Sequence, residues 1–259
     1  MKIIKIPFSK GGETFEVKGA KKGPDKVIDM LRDIFLNESF KQLNYDVDEV
    51  VVDNDDVKKT SKNIYEKIKK ENSCIIIGGD HAITFSCVKA FAEKHKNPGL
   101  LIFDSHPDCY QYKKAPTHED YVKTLVEESI IKPQNLVFVG IRNPCIEEIE
   151  YLKDKKIKFF DMKRLFNNIE NTCDTIMELV KDFDALYLSI DIDVLDPAFA
   201  PGTGVAEPGG LTTRELLYFV QRLKKLKNLK MVDLVEVNPE LDVNNITSKI
   251  GAKIIAELL

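Results

Sequence analysis

The sequence predicts an α/β fold in which helices cover both faces of a mainly parallel sheet of about eight strands. Three observations predict it. Short, fully apolar runs rich in Ile and Val recur along the chain. Segments with apolar residues at helical spacing separate them. Polar residues gather just after the apolar runs, at the edge where open parallel sheets and closed barrels both bind ligands. One doubly wound sheet is the economical reading, and a closed eight-fold barrel is its rival.

In order, MKIIKI opens as a strand, and Gly23-Pro24 starts a helix through DKVIDMLRDIFL, where Pro suits the first turn. VDEVVV is the second strand, followed by a helix around SKNIYEKIKK. CIIIGG is a buried strand and ITFSCVKAFAEKH a helix. GLLIFDSH, a helix from about His118 to Ile130, and NLVFVGI continue the alternation. A helix near Glu147 to Lys153, the strand IKFFD and a helix through ENTCDTIMELVKD follow. ALYLSIDID, the helix TTRELLYFVQRL, KMVDLVEV and a closing helix from about Asn244 complete the chain. With no internal repeat, low-complexity tract or long linker, residues 1–259 are expected to form one domain.

Composition narrows the partners. Hydrophobic residues make up 43% of the chain, enough for a sizeable core, and charged residues make up 31%. The 38 Lys and Arg against 42 Asp and Glu give a formal charge of −4, with both signs interspersed and no basic stripe, so nucleic acid is not expected. No uncharged apolar stretch reaches the roughly 18 residues of a membrane span. MKIIKIPFSKGG lacks the apolar block and cleavage site of a secretion signal. The cysteines, Cys74, Cys87, Cys109, Cys145 and Cys173, are odd in number and form no CxxC, which fits reduced thiols in a cytoplasm. Cys109 follows a candidate ligand but has no nucleophile motif around it. The acidic run Asp53 to Asp56 reads as a solvated loop, and His95 as a solvated helix face.

Three strand ends carry candidate chemistry. Gly78-Gly79-Asp80-His81 follows CIII, where the glycines could serve only a turn and Asp80 or His81 only a helix cap. Asp104-Ser105-His106-Pro107-Asp108 follows LLIF. Side chains alternate along extended chain, so Asp104, His106 and Asp108 are expected on one side, a set that is costly to bury without a cation; the plain alternative is an exposed polar loop. Asp191-Ile192-Asp193 follows ALYLSI, and two neighbouring carboxylates at low dielectric raise each other's pKa unless a metal compensates. A solvated turn would explain Asp196-Pro197 but not Asp191 and Asp193. Two His and four Asp at one sheet edge suit two divalent ions, with four carboxylates balancing two dications. Manganese is the expected metal, with nickel, cobalt, iron and zinc as competitors. A water shared by both ions would lose its proton near neutral pH and become the nucleophile.

GGDH, DSHPD and SIDIDVLDPAFAPGTGVAEPGG resemble, in the same order, the three metal-binding motifs of the arginase/agmatinase (ureohydrolase) superfamily. The likeness runs from KIPFSKGG to VEVNPELD and is closer to the agmatinase branch, through Glu207-Pro208-Gly209-Gly210. It implies a three-layer α/β/α sandwich around an eight-stranded parallel sheet. It also implies one ion on His81, Asp104, Asp108 and Asp191 and a second on His106, Asp104, Asp191 and Asp193. His118 is then the residue that shuttles a proton to the leaving amine, against a plain reading as a surface His at a helix start. Glu236 pairs with a substrate guanidinium, and Asp108 joins these two among the catalytic residues. The implied reaction is hydrolysis of a guanidino compound, agmatine first, to urea and an amine through a metal-bridging hydroxide, as in polyamine metabolism. Trimers or hexamers are implied as well.

The chain departs from the pattern at Ser105, Pro107 and Ala82, none of which removes a ligand. CYQYKKAPT is shorter than the arginase segment before the catalytic His, and the place of the arginase Asp for the α-amino group is expected at Phe166. Both weigh against free arginine. Val205-Ala206 stands where Thr-Pro is usual, which leaves open the wall of the guanidinium pocket. Three other readings compete: a formiminoglutamase or other guanidino-acid hydrolase; a deacetylase-like amide hydrolase, for which the chain lacks a His-His pair; and a non-catalytic homologue.

Overall fold

The computed structural model describes residues 1–12 and 18–259. Eight strands, β1 (Lys2–Ile6), β2 (Asp46–Glu49), β3 (Cys74–Gly78), β4 (Pro98–Phe103), β5 (Leu136–Ile141), β6 (Lys158–Asp161), β7 (Ala185–Asp191) and β8 (Leu229–Val235), form one sheet. Their order is β2-β1-β3-β8-β7-β4-β5-β6, and every pairing is parallel. β2 and β6 are free edges, so the sheet is open and the barrel is ruled out.

Apolar side chains alternate across the central strands with a period of two, giving each face its own core. Ile75, Ile77, Leu101 and Phe103 face one side and pack with α1 (Gly23–Leu31), α7 (Ile169–Val180), α8 (Thr213–Leu223) and α9 (Ile246–Leu258). Ile76, Leu100 and Ile102 face the other, against α2 (Val57–Ile68), α3 (Ile83–Ala92), α4 (Tyr121–Glu127) and α5 (Ile146–Asp154). The result is three layers, helices–sheet–helices. Among the described residues no helix is long and apolar enough to cross a membrane.

The strand order positions the site. The chain builds outward to β6 and then returns, placing β7 and β8 between β4 and β3. The four adjacent strands β3, β8, β7 and β4 are those that end in GGDH, Glu236, the Asp191 motif and the Asp104 motif. Sequence segments far apart therefore open at one carboxyl edge of the sheet.

Local differences from expectation have local causes. β2 ends at Glu49 because its pairing with β1 ends at Lys5, and Val51 is left exposed. α4 starts only at Tyr121: the Asp120 carboxylate turns back to accept the Thr117 amide at 2.7 Å, which keeps His118 in a turn before the helix. Ser129, at φ 57°, ends that segment early. A short helix α6 (Met162–Asn167), capped by the Asp161 side chain on the Arg164 amide, was not expected. The acidic run is a loop in which Asp56 caps α2, and the five cysteines are unpaired.

Candidate metal centre

His81 sits in the turn after β3, fully buried. Its Nε2 lies 2.9 Å from the hydroxyls of both Ser189 and Tyr121. Ser189 donates its single hydroxyl proton to Asp233, at 2.6 Å, so toward His81 it can only accept. Nε2 therefore carries a proton, so in the neutral, metal-binding form of the ring the lone pair is on Nδ1. Asp233 is held by Tyr187 and Thr84 as well, each hydroxyl at 2.7 Å.

That lone pair points into carboxylates. His81 Nδ1 is 3.1 Å from Asp104 Oδ2, 3.1 Å from Asp191 Oδ2 and 3.3 Å from Asp108 Oδ2. Yet among the described residues neither His81 Nδ1 nor Asp104 Oδ2 has a hydrogen-bond partner, and both are buried. Three carboxylate oxygens crowded on one buried imidazole nitrogen form a donor set that a cation satisfies. A second group lies beside the first: His106 Nδ1 is 3.0 Å from Asp193 Oδ2 and 3.6 Å from Asp104 Oδ1. His81, Asp104 and Asp191, and likewise Asp104, His106 and Asp193, offer ligand atoms within 4.8 Å of one another. Asp104 belongs to both groups, so the donor set fits a pair of divalent ions.

The electrostatics agree. Burial, followed by the charge of Asp104, pushes the Asp108 carboxyl up to about 8. Burial and the charges of Asp193 and Asp104 hold Asp191 well above the usual carboxylate range. Burial works against a charged His106, but Asp104 and Asp193 outweigh it and raise the imidazole to about 12. Carboxylates so crowded are stable as anions only beside positive charge.

The six residues expected as ligands are thus brought together, though not by an extended backbone. Asp108 has φ 50°, and the His106 amide folds back to Asp104 Oδ1 at 2.7 Å. Asp193 lies in a 3₁₀ turn, its amide donating to Asp191 Oδ1 at 2.8 Å, and Asp193 Oδ1 takes the Ser105 amide at 3.1 Å. Turns closed on the carboxylates replace strand alternation.

A cavity of about 720 Å³ opens over this cluster, lined by His118, Glu236 and most of the ligand side chains. Glu236 has left-handed backbone, φ 64°, fixed by its amide on the Gly79 carbonyl at 2.8 Å, and one carboxylate oxygen accepts the His81 amide at 2.6 Å. Burial first, then Asp191 and Asp80, hold its pKa well above the usual range. Burial keeps His118 neutral by lowering its pKa to about 4, and among the described residues its buried Nδ1 has no hydrogen-bond partner.

Phe166 is not part of this site. It is 90% exposed on α6 and does not line the cavity. The cavity wall after β5 is instead Asn143, Pro144, Cys145 and Glu148, with Tyr110, Thr203, Val205 and Glu207 around it. No motif marks this loop in the sequence, although it follows the apolar strand LVFVGI at the same sheet edge as the three motifs. Arg142 braces it: its guanidinium donates to the carbonyls of Asp193 at 2.7 Å and of Glu207 at 2.6 Å, tying the Glu207 loop to the ligand loop. Asp233, a lone acid within an apolar strand, was the other available signal.

Similarity to known proteins points the same way. A model described as the Arginase family matches residues 1–259. The chain is 32% identical over 244 residues to an arginase of Staphylococcus aureus, covering 88% of this chain and 79% of that protein. It is 34% identical over 186 residues to an agmatinase of Bacillus subtilis, covering 71% and 61% respectively. A crystal structure of formimidoylglutamase from Bacillus subtilis superposes with a TM-score of 0.92 at 26% identity, covering 99% of this chain and 85% of that one. Those relatives hydrolyse amidino C–N bonds, and with the family model spanning every residue and the ligand motifs converging at one sheet edge, the chain belongs to the arginase family of hydrolases.

Proposed function

We propose that the protein is a binuclear-metal amidinohydrolase that cleaves a guanidino compound, agmatine first, to urea and an amine. His81, Asp104, Asp108 and Asp191 would hold one ion, and His106, Asp104, Asp191 and Asp193 the other. When bound, the ions supply Lewis-acid activation of water at neutral pH, manganese being the expected metal.

One observation carries this reading: a buried carboxylate, Glu236, lines the cavity over the ligand cluster, and no Lys or Arg lines that cavity among the described residues. A buried acid in that setting calls for a cationic ligand. A guanidinium held there by Glu236 has its central carbon next to the metal-ligand carboxylates. Asp108, touching the cluster from the cavity side, orients the attacking water. His118, kept neutral by burial, can take a proton and release it to the departing nitrogen, so that the C–N bond breaks to a neutral amine.

The wall favours a substrate whose far end is not an anion. Glu207 lines the cavity and is fixed by the Asn143 amide at 2.6 Å. Arg142 directs its donors to backbone carbonyls. Among the described residues lining the cavity a carboxylate tail would find no Lys or Arg, whereas the ammonium of agmatine would find Glu207. This supports agmatine ahead of guanidino or formimino acids.

The test is urea release from agmatine, guanidinobutyrate and arginine, and formamide release from formiminoglutamate, by protein loaded with manganese or nickel. Agmatine is expected to have kcat/KM at least about 10-fold above the acids, because juxtaposed like charges cost several kcal/mol. No turnover of any of the four by fully metallated protein would overturn the reading.

A further inference from the structure

We propose that Asp80 is a positioning residue that aims His118 into the cavity, acting through the backbone of Gly11. The inference rests on the proposed role of His118 in proton transfer. Gly11 lies between the two residues. Its amide donates to Asp80 Oδ2 at 2.6 Å, and its carbonyl accepts the His118 amide at 3.0 Å.

Asp80 is a firm anchor. It is buried, its Oδ1 accepts the Ala82 amide at 3.1 Å, and its own amide donates to the Phe8 carbonyl at 2.9 Å. Gly11 is flush against it: a Cβ there would lie 2.3 Å from the Ala82 Cβ and 2.6 Å from Asp80 Oδ1. No side chain other than hydrogen fits, so the residue type is set by this close approach rather than by a turn.

The ring of His118 is not held by its own nitrogens. Nδ1 has no hydrogen-bond partner among the described residues, and Nε2 is 3.8 Å from the nearest Glu119 oxygen, beyond hydrogen-bond length. Its direction is therefore set by the backbone. The Thr117–Asp120 turn fixes the chain on one side and Gly11 on the other. An Asp next to the ligand His81 thereby ties the proton-carrying residue to the same frame as the metal ligands.

The experiment compares wild type with Gly11→Ala, His118→Ala and the double variant. The chain has 4 histidines, so ring resonances of the metal-free protein can be assigned by substitution. Gly11→Ala is expected to shift or broaden the His118 ring signals while those of His106 and His95 stay in place. In the manganese-loaded enzyme, agmatine kcat is expected to fall about 10- to 100-fold, the cost of misplacing a reacting group by an ångström. KM should change by less than about 3-fold and metal content should be unchanged. The double variant should be no slower than His118→Ala. Unmoved His118 signals, a wild-type kcat, or losses that multiply in the double variant would each overturn the proposal. If Gly11→Ala does not fold, Asp80→Asn, which keeps shape but weakens the anchor, is read by the same signals. Wild type inactive on all four compounds would count against the functional reading alone, because the resonance comparison needs no substrate.

Discussion

Asp191→Asn is expected to abolish measurable urea release, with kcat down by about 10³-fold or more, and to lower metal content below that of wild type. Lewis-acid assistance amounts to several kcal/mol, and each 1.36 kcal/mol is about a factor of ten. Asp191 faces the His81 lone pair at 3.1 Å and is shared by both proposed ligand sets. Asn keeps the shape and can still accept the Asp193 amide, so the loss should be one of charge and not of fold.

The same variant should show two opposite signs in thermal unfolding. Burial, Asp193 and Asp104 raise the folded-state pKa of Asp191 well above its unfolded value. A carboxyl raised in this way costs the folded state stability at every pH above the unfolded value, and it relieves that cost only as pH falls. Metal-free Asp191→Asn should therefore melt at or above metal-free wild type at neutral pH. Wild type, however, should gain stability on adding manganese, since a ligand that binds only the folded state raises Tm, and the variant should gain far less. A metal-free variant much less stable than wild type would contradict the crowded-carboxylate argument.

Glu236→Gln is expected to leave both ions bound and to reduce kcat/KM for agmatine by about 10²- to 10³-fold. Removing one partner of a buried, hydrogen-bonded charge pair costs about 3–5 kcal/mol, and this change keeps the shape while deleting the charge. Gln can still accept the His81 amide that Glu236 accepts at 2.6 Å, so the ligand His should stay in place. The check is steady-state kinetics beside metal analysis of the same sample. A small loss of kcat/KM would mean that the guanidinium is held elsewhere.

The central strands were legible because burial on both faces leaves near-continuous apolar runs, as in CIII, LLIF and ALYLSI, and their polar ends were then marked as the site. Edges were less so. β2 is exposed at three of its four residues, so its register against β1 and not its pattern decides where it stops. Alternation along a strand predicts Asp104, His106 and Asp108 on one face, whereas a turn with Asp108 at φ 50° is what brings them together. The resemblance puts Phe166 at the place of the arginase Asp for the α-amino group, but it lies on α6, a helix that the pattern does not announce, and is exposed to solvent. Arg142 and Ser189 act through contacts made across the chain, Arg142 on the Asp193 and Glu207 carbonyls and Ser189 between His81 and Asp233. No local spacing encodes those pairings.

The most direct measurement is anomalous diffraction from crystals of the manganese-loaded protein. Two peaks are expected, about 3.5–4 Å apart, one beside His81 Nδ1 and the other beside His106 Nδ1, with Asp104 between them. A single peak, or manganese bound away from these two imidazoles, would contradict the account.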